Sequence, residues 1–380
     1  MKKHILLSVL IAASLLSIAN VFAGGQKASG PAGNAIKIAV AVPMTGDNSE
    51  YGRSFLTAAQ IMVEKWNAAG GVLGKQIEII NYDDKNSAEE AASIAQKIVS
   101  DKDIIGVLGH FSSGVSMTAA PTYQENQVIE ISNCASHPDY SKIGNYIFRN
   151  NTVITEEFKV MVDIIANDLK LKKVGVIAIK TDWGTTAGNI ARDLVTNDPK
   201  LELVAYEQVL ETSDDHGPAI AKLKASGAEA VIAVGMYSLY GPLARQYKEA
   251  DPKIQLIGVS NAYTQQIIQL GGAAVEGLFA PVSFFAESDD PEVKAFVTEY
   301  TKRFGMEPSS LAAQAYDSIG ILLQAIKNAN TLDHPKVRDA VNAIDYPGIS
   351  GPTTFDNIGD ASKIFQKVII RNGKFVPYKG

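Results

Sequence analysis

The chain is short of the residues that staple, chelate or grip nucleic acid. One cysteine, Cys134, occurs in 380 residues. That excludes an intrachain disulfide, and with no cysteine next to Ala23 there is no thiol for a lipid to modify at that point. The five histidines are scattered and form no cluster of metal-ligand spacing, so neither a metal nor a cofactor is expected. Basic residues are outnumbered, 35 Lys and Arg against 41 Asp and Glu, for a net charge of −6. With no basic block, nucleic acid and anionic membrane surfaces are poor partners. Beyond residue 23, no apolar run approaches the roughly 18–20 residues that span a bilayer.

What is present begins with a leader. Lys2 and Lys3 precede an uncharged, mostly apolar run from Ile5 to Leu16, and Val21-Phe22-Ala23 closes it with a small-x-small-like site. This is the layout of a secretory signal peptide over residues 1–23, with cleavage expected after Ala23. Residues 24–34 are rich in Gly, Ser and Ala and read as a flexible leader. Removing residues 1–23 leaves 357 residues with 33 basic against 41 acidic side chains, a length that suits two domains. Outside the cytoplasm there is no ATP or NAD pool. An exported protein of this kind is expected to capture a small molecule rather than transform it, as a soluble monomer.

The body alternates strand and helix. Ile36 to Val42 reads as a strand, and Phe55, Ala58, Ala59, Met62, Val63 and Trp66 recur at helical spacing until Gly70-Gly71. Further short apolar strands are expected at 77–82, 104–108, 128–131, 174–179, 201–207, 230–234 and 255–258, with helices between them such as 87–99, 155–169, 218–225 and 241–250. Near-continuous apolar strands separated by helices imply an α/β protein with doubly wound parallel sheets. Ligands of such sheets bind beyond the carboxyl ends of the strands.

Two catalytic motifs fail. Gly70-Gly71-Val72-Leu73-Gly74-Lys75 is one residue short of a P-loop, has Gln76 where a Mg²⁺ hydroxyl belongs, and precedes a strand instead of following one. Ser112 and Ser113 lie near Gly109, His110 and Gly114, but without the spacing of a nucleophile elbow; a Ser/His hydrolase stays open as a distant reading. The same loop, 109–116, carries Ser112, Ser113 and Ser116 between a strand and a helix. It suits either an anion site or an ordinary helix cap. A second loop, 132–138, offers Ser132, Asn133 and Ser136, and the two could converge on one carboxylate.

Taken in order, Pro43-Met44-Thr45-Gly46 with Tyr51-Gly52, Asn67 to Gly74 leading to Tyr82-Asp83-Asp84, Gly109-His110-Phe111-Ser112-Ser113, Ile131-Ser132 with Ser136-His137-Pro138, Asp182-Trp183-Gly184, and Ala312 to Ser318 around Tyr316 form one pattern. The chain resembles the periplasmic solute-binding proteins of the branched-chain amino acid type, which serve ABC importers. The resemblance implies the type I periplasmic binding protein fold, two lobes joined by three crossovers near 150–154, 280–284 and 349–353. The lobes would comprise 35–151 plus 282–350 and 152–281 plus 351–380, with ligand trapped between them and an ABC permease complex as partner. It implies that Ser113 holds a ligand carboxylate, with Ser112 beside it. Cys134, Ala135 and Ser136 would meet the ligand's polar head, and Tyr51 and Tyr316 would form aromatic walls. Trp183 stands where many relatives have tyrosine.

Three departures from the family pattern matter. Relatives that bind amino acids often place an acid after the strand 255–258; here the residues are Val259-Ser260-Asn261. Met236 occupies a position where an aromatic is common, followed by Tyr237. Some relatives carry a disulfide whose two positions are here Asn86 and Ser112, which removes a loop constraint. The ligand is expected to be a branched-chain or other hydrophobic amino acid, either bound more weakly or with its ammonium met by another acid, such as Glu50 or Asp182. The alternatives are an organic or aromatic acid or amide without an α-ammonium, or a sensory role in place of transport.

Overall fold

In the computed structural model, which describes residues 35–250 and 253–379, the expected alternation builds two sheets. The signal peptide and leader proposed for residues 1–34 lie outside the described residues. The first sheet contains β1 (Ile36–Val42), β2 (Ile77–Asp83), β3 (Ile104–Gly109), β4 (Ile129–Ser132) and β5 (Ile147–Arg149), ordered β2-β1-β3-β4-β5 and parallel throughout. β3 and β4 are buried along their whole length, as strands covered on both faces must be. The second sheet starts with β6 (Lys173–Ile179), β7 (Glu202–Val209), β8 (Ala230–Val234), β9 (Gln255–Gly258) and β10 (Phe279–Val282), again all parallel. A small hairpin, β11 (Tyr346–Gly348) and β12 (Gly351–Thr353), stands apart.

The second sheet is not purely parallel, a departure from the sequence expectation. β13 (Gln366–Arg371) runs antiparallel to β10, and β14 (Lys374–Pro377) antiparallel to β13, giving the order β14-β13-β10-β9-β8-β6-β7. The turn between them is Asn372-Gly373, both with positive φ (53° and 69°). Asn-Gly is the strongest short-range hairpin signal, because both central residues of the tight turn need a left-handed backbone.

The residues from Ile36 onward form one unit, and the chain passes between its two sheets three times. After Arg149 it enters the helix Ile154–Asp163, which packs beside the helix Asp182–Asn197 and β10. After Val282 it returns to the helices Pro291–Phe304 and Ser310–Ala329, which cover the helix Ser49–Ala68 on the first lobe. After β12 it crosses again to β13. Arg149, wholly buried, braces two of these passages: its Nε donates to Asp360 at 2.5 Å, and its Nη1 donates to the carbonyl of His137 at 2.8 Å. Among the described residues no helix is long and apolar enough to cross a membrane.

Local sequence fixes the elements that carry the site. Thr181 caps the helix Asp182–Asn197 by accepting the N–H of Gly184 at 3.0 Å, which sets Trp183 on the first turn. Gly184 is required there, since a Cβ would run into the carbonyl of Ile179. Gly52 has the same cause: a Cβ would strike the carbonyl of Pro43, so the Tyr51-Gly52 pair lets the first helix press against the loop after β1.

Candidate functional site

Strand order reverses at β1/β3 in one sheet and at β6/β8 in the other. The carboxyl ends of the two sheets meet, and a cavity lies between them. Phe111, Ser112 and Ser113 enter it from the end of β3, Cys134 and Ser136 from the end of β4, Trp183 from β6, Met236 from β8, and Val259 to Asn261 from β9. Asn151, Ile154 and Glu157 complete the lining from the first crossover.

Ser113 is more than a helix cap. Its Oγ accepts the N–H of Ser136 at 3.2 Å and of His137 at 3.3 Å, so it ties the two serine loops together. A hydroxyl has two acceptor lone pairs and one proton. Both lone pairs are taken, and no acceptor for the proton exists among the described residues. The O–H is free to donate to a solute. Ser136 is in a similar state: its Oγ accepts the indole N–H of Trp183 at 2.8 Å, which leaves its own proton unassigned. Behind the loops, the Ser132 hydroxyl donates to the carbonyl of His110 at 3.1 Å and accepts the N–H of Ala135 at 2.9 Å. The Ser/His pairing of the hydrolase reading is not formed. The His110 ring is engaged by Asp84 at 2.6 Å and by the Tyr123 hydroxyl at 3.1 Å, and neither Ser112 nor Ser113 bonds to it.

Of the twelve site residues expected from sequence, eight line the cavity: Ser112, Ser113, Cys134, Ser136, Trp183, Met236, Ser260 and Asn261. Four do not. Ala135 is fully buried with its N–H turned to Ser132. Tyr316 sits in the first lobe's core, its ring 4.7 Å from Phe296 and its hydroxyl accepting from Lys65 at 3.3 Å. Tyr51 stacks at 4.5 Å behind Phe111, the ring that does reach the cavity. Tyr51 also accepts the N–H of Tyr237 at 3.2 Å, and the Tyr237 hydroxyl donates to the carbonyl of Asp47 at 3.3 Å, so this pair fastens one lobe to the other.

An acid lines the cavity, but it is neither Glu50 nor Asp182. Glu50 bonds Gln266 at the lobe seam, and neither it nor Asp182 lines the cavity. Glu157 does, 3% exposed, accepting the N–H of Ser260 and, at 3.1 Å, its hydroxyl. Burial pushes its carboxyl up to about 7, against the lowering effect of the two Ser260 bonds. Burial likewise raises the Cys134 thiol well above its usual range and keeps it neutral. The sequence signal for Glu157 was weak: a Glu-Glu pair in a first helical turn looks like ordinary dipole complementation. The disulfide positions also find a substitute, since Ser112 donates to Asn86 Oδ1 at 2.6 Å. The loop constraint is kept by a hydrogen bond and not removed.

With the lobes fastened, the cavity measures about 20 Å³, room for about one water. Any larger solute must enter with the lobes apart and displace or rearrange the Trp183–Ser136 contact. A larger groove of about 390 Å³ near Tyr263, Phe285, Met306 and Lys374 is lined by one side of the second sheet and neighbouring helices, and none of the serine-loop donors reaches it. The cavity is therefore the better site. Among the described residues no group of His, Cys, Asp and Glu is placed to hold a metal ion.

Two α/β lobes closing over a cavity at their strand ends define a class of solute-trapping protein, and the chain belongs to the periplasmic binding protein family, whose model matches residues 35–368. It is similar to the leucine-, isoleucine-, valine-, threonine- and alanine-binding protein of Pseudomonas aeruginosa, 29% identical over 331 residues, covering 87% of this chain and 88% of that one. Among solved structures it is similar to the branched-chain amino acid transporter substrate-binding protein of Streptococcus pneumoniae in complex with isoleucine, with 26% identity, coverage of 91% and 100%, and a TM-score of 0.83. A leucine-binding protein of Thermotoga maritima gives the same TM-score at 25% identity, with coverage of 91% and 98%.

Proposed function

We propose that this protein is the exported solute receptor of an ABC importer, that it captures a small hydrophobic amino acid between its lobes, and that it catalyses no reaction. The observation that carries this reading is the Ser113 hydroxyl: both lone pairs spent inside the protein, its proton unspent, at the meeting point of two strand-end loops. Such a donor is suited to a carboxylate, and a charge-assisted bond of that kind contributes roughly 1.5–3 kcal/mol. The reading includes removal of residues 1–23, lobes divided near 151/152, 281/282 and 350/351, a monomeric state, and a closed surface that the permease complex recognises.

Thermal denaturation of the protein lacking residues 1–23 tests it across the amino acids and small organic acids. A solute that binds only the folded state raises the melting temperature by mass action, by about 2.7 kcal/mol of stability at a hundredfold excess over Kd. A hydrophobic amino acid is expected to give the largest shift. No shift from any of these solutes overturns the capture reading, and N-terminal sequencing of the exported product checks the cleavage after Ala23.

A further inference from the structure

Among the described residues, Glu157 is the one charged residue lining the cavity, and no Lys, Arg or His lines it. Its two carboxylate oxygens offer about four acceptor positions, of which Ser260 fills two. No ion pair reaches it among the described residues. A buried carboxylate without a cation is costly unless something positive arrives or a proton stays on. The hydroxyls of Ser113 and Ser136 enter the same cavity from the first lobe, while Glu157 enters from the second. A donor set on one wall and a lone acid on the other form a template for a solute with an anionic and a cationic group on one carbon.

We propose that Glu157 is the amine partner of this cavity and couples solute choice to its own proton: ionised, it selects solutes that carry an ammonium group beside the carboxylate, and protonated, it admits the corresponding acids that lack one. This rests on the capture reading above. The groups around Glu157 leave it to act alone. Cys134 across the cavity is held neutral by burial. Tyr240, from the helix Tyr237–Ala250, has its phenol pushed far up by burial. Ser260 and Trp183 do not titrate near neutrality. On its own helix, Glu156 is exposed and paired with Lys159 at 2.7 Å. With its carboxyl up at about 7, both forms of Glu157 are populated at neutral pH.

The signs are opposite for the two solute types. An amine-bearing solute needs the ionised form and releases a proton on binding. Its affinity should rise with pH, approaching about tenfold per unit below pH 7, and level off above. The deaminated acid takes up a proton, so its affinity should be level below pH 7 and fall at a similar rate above.

Calorimetry from pH 5.5 to 8.5 tests this with two probe pairs, L-valine with 3-methylbutanoate and L-alanine with propanoate. The expected result is opposite slopes within a pair and proton counts of opposite sign in buffers of different ionisation heat. In Glu157→Gln, whose amide keeps the shape, accepts the Ser260 N–H through its oxygen and can donate to the Ser260 hydroxyl through its NH2, both slopes should vanish and the preference for the amino acid should shrink at least tenfold. A carboxylate that only caps the Ser260 turn moves both partners of a pair together. Level profiles in the unmodified protein, or slopes that survive in Glu157→Gln, overturn the proposal while leaving capture intact. Failure of all four probes to bind at any pH takes down the capture reading for these solutes and this inference with it.

Discussion

Ser113 and Glu157 line the same small cavity from opposite lobes, yet they are positioned by different means. Ser113 follows β3 and is held by the backbone of the neighbouring loop, two N–H groups converging on one oxygen. Its orientation is fixed before any solute arrives. Glu157 stands in the first turn of a helix just past a crossover, and its contacts run through Ser260 at the end of β9. The first wall is a set of donors built into one lobe. The second depends on two segments more than a hundred residues apart in the chain. The first wall is assembled from neighbouring loops of one sheet, and the second only once distant parts of the chain have folded together.

That contrast breaks most sharply at Ser113. Ser113→Ala removes the proposed carboxylate donor and leaves the N–H groups of Ser136, buried, and His137, part-buried, without their acceptor. Solute affinity should fall roughly 10- to 150-fold, and stability should fall by about 1–3 kcal/mol for each stranded group. Calorimetry and a melting curve check both; an unchanged Kd with a lowered melting temperature would reduce Ser113 to a loop tie.

The next effect is at the seam. Trp183→Phe deletes the bond to Ser136 while keeping an aromatic ring. The loss of one neutral hydrogen bond, about 0.5–1.5 kcal/mol, should shift the unliganded protein toward separated lobes by about 2- to 12-fold. Small-angle scattering should then report a larger radius of gyration without solute and the unmodified value at saturation. Identical profiles in both proteins would mean that the other seam contacts, Tyr51–Tyr237, Tyr237–Asp47 and Glu50–Gln266, suffice to keep the lobes together.

The smallest effect on binding is expected from Asn86→Cys with Ser112→Cys. The hydrogen bond at 2.6 Å would become a covalent tie, stabilising the protein by about 2–4 kcal/mol. Because the first wall is already fixed, affinity should stay within about twofold. A larger change would show that the serine loop moves when solute binds.

The same contrast separates what the sequence made legible from what it did not. Strand-end loops announce themselves: an apolar run, then Gly and Ser, as at 109–113 and 132–136, and the first wall follows from that pattern. β10 and the pairing of β13 with β14 were overlooked, although Asn372-Gly373 carries a strong hairpin signal; the run 366–371 follows a hairpin and irregular chain instead of a helix, outside the strand–helix alternation. Tyr316 was placed at the ligand because its neighbours fit a pattern, but a helix buried on nearly every face turns one more aromatic into the lobe's own core. Glu157 could not be located from its surroundings in the chain, since its meaning depends on Ser260, 103 positions away.

Cys134 has a practical consequence of a different kind. It is the chain's lone cysteine, it borders the cavity, and burial keeps its sulfur in the unreactive neutral form. Separation of the lobes rehydrates that sulfur, so the rate at which a small alkylating reagent modifies the protein reads out the fraction of time spent open. A solute that holds the lobes shut should slow the labelling in proportion to occupancy. A polarity-sensitive dye attached at the same atom would turn the protein into a single-site optical reporter without any engineered residue, provided that the dye leaves space for closure.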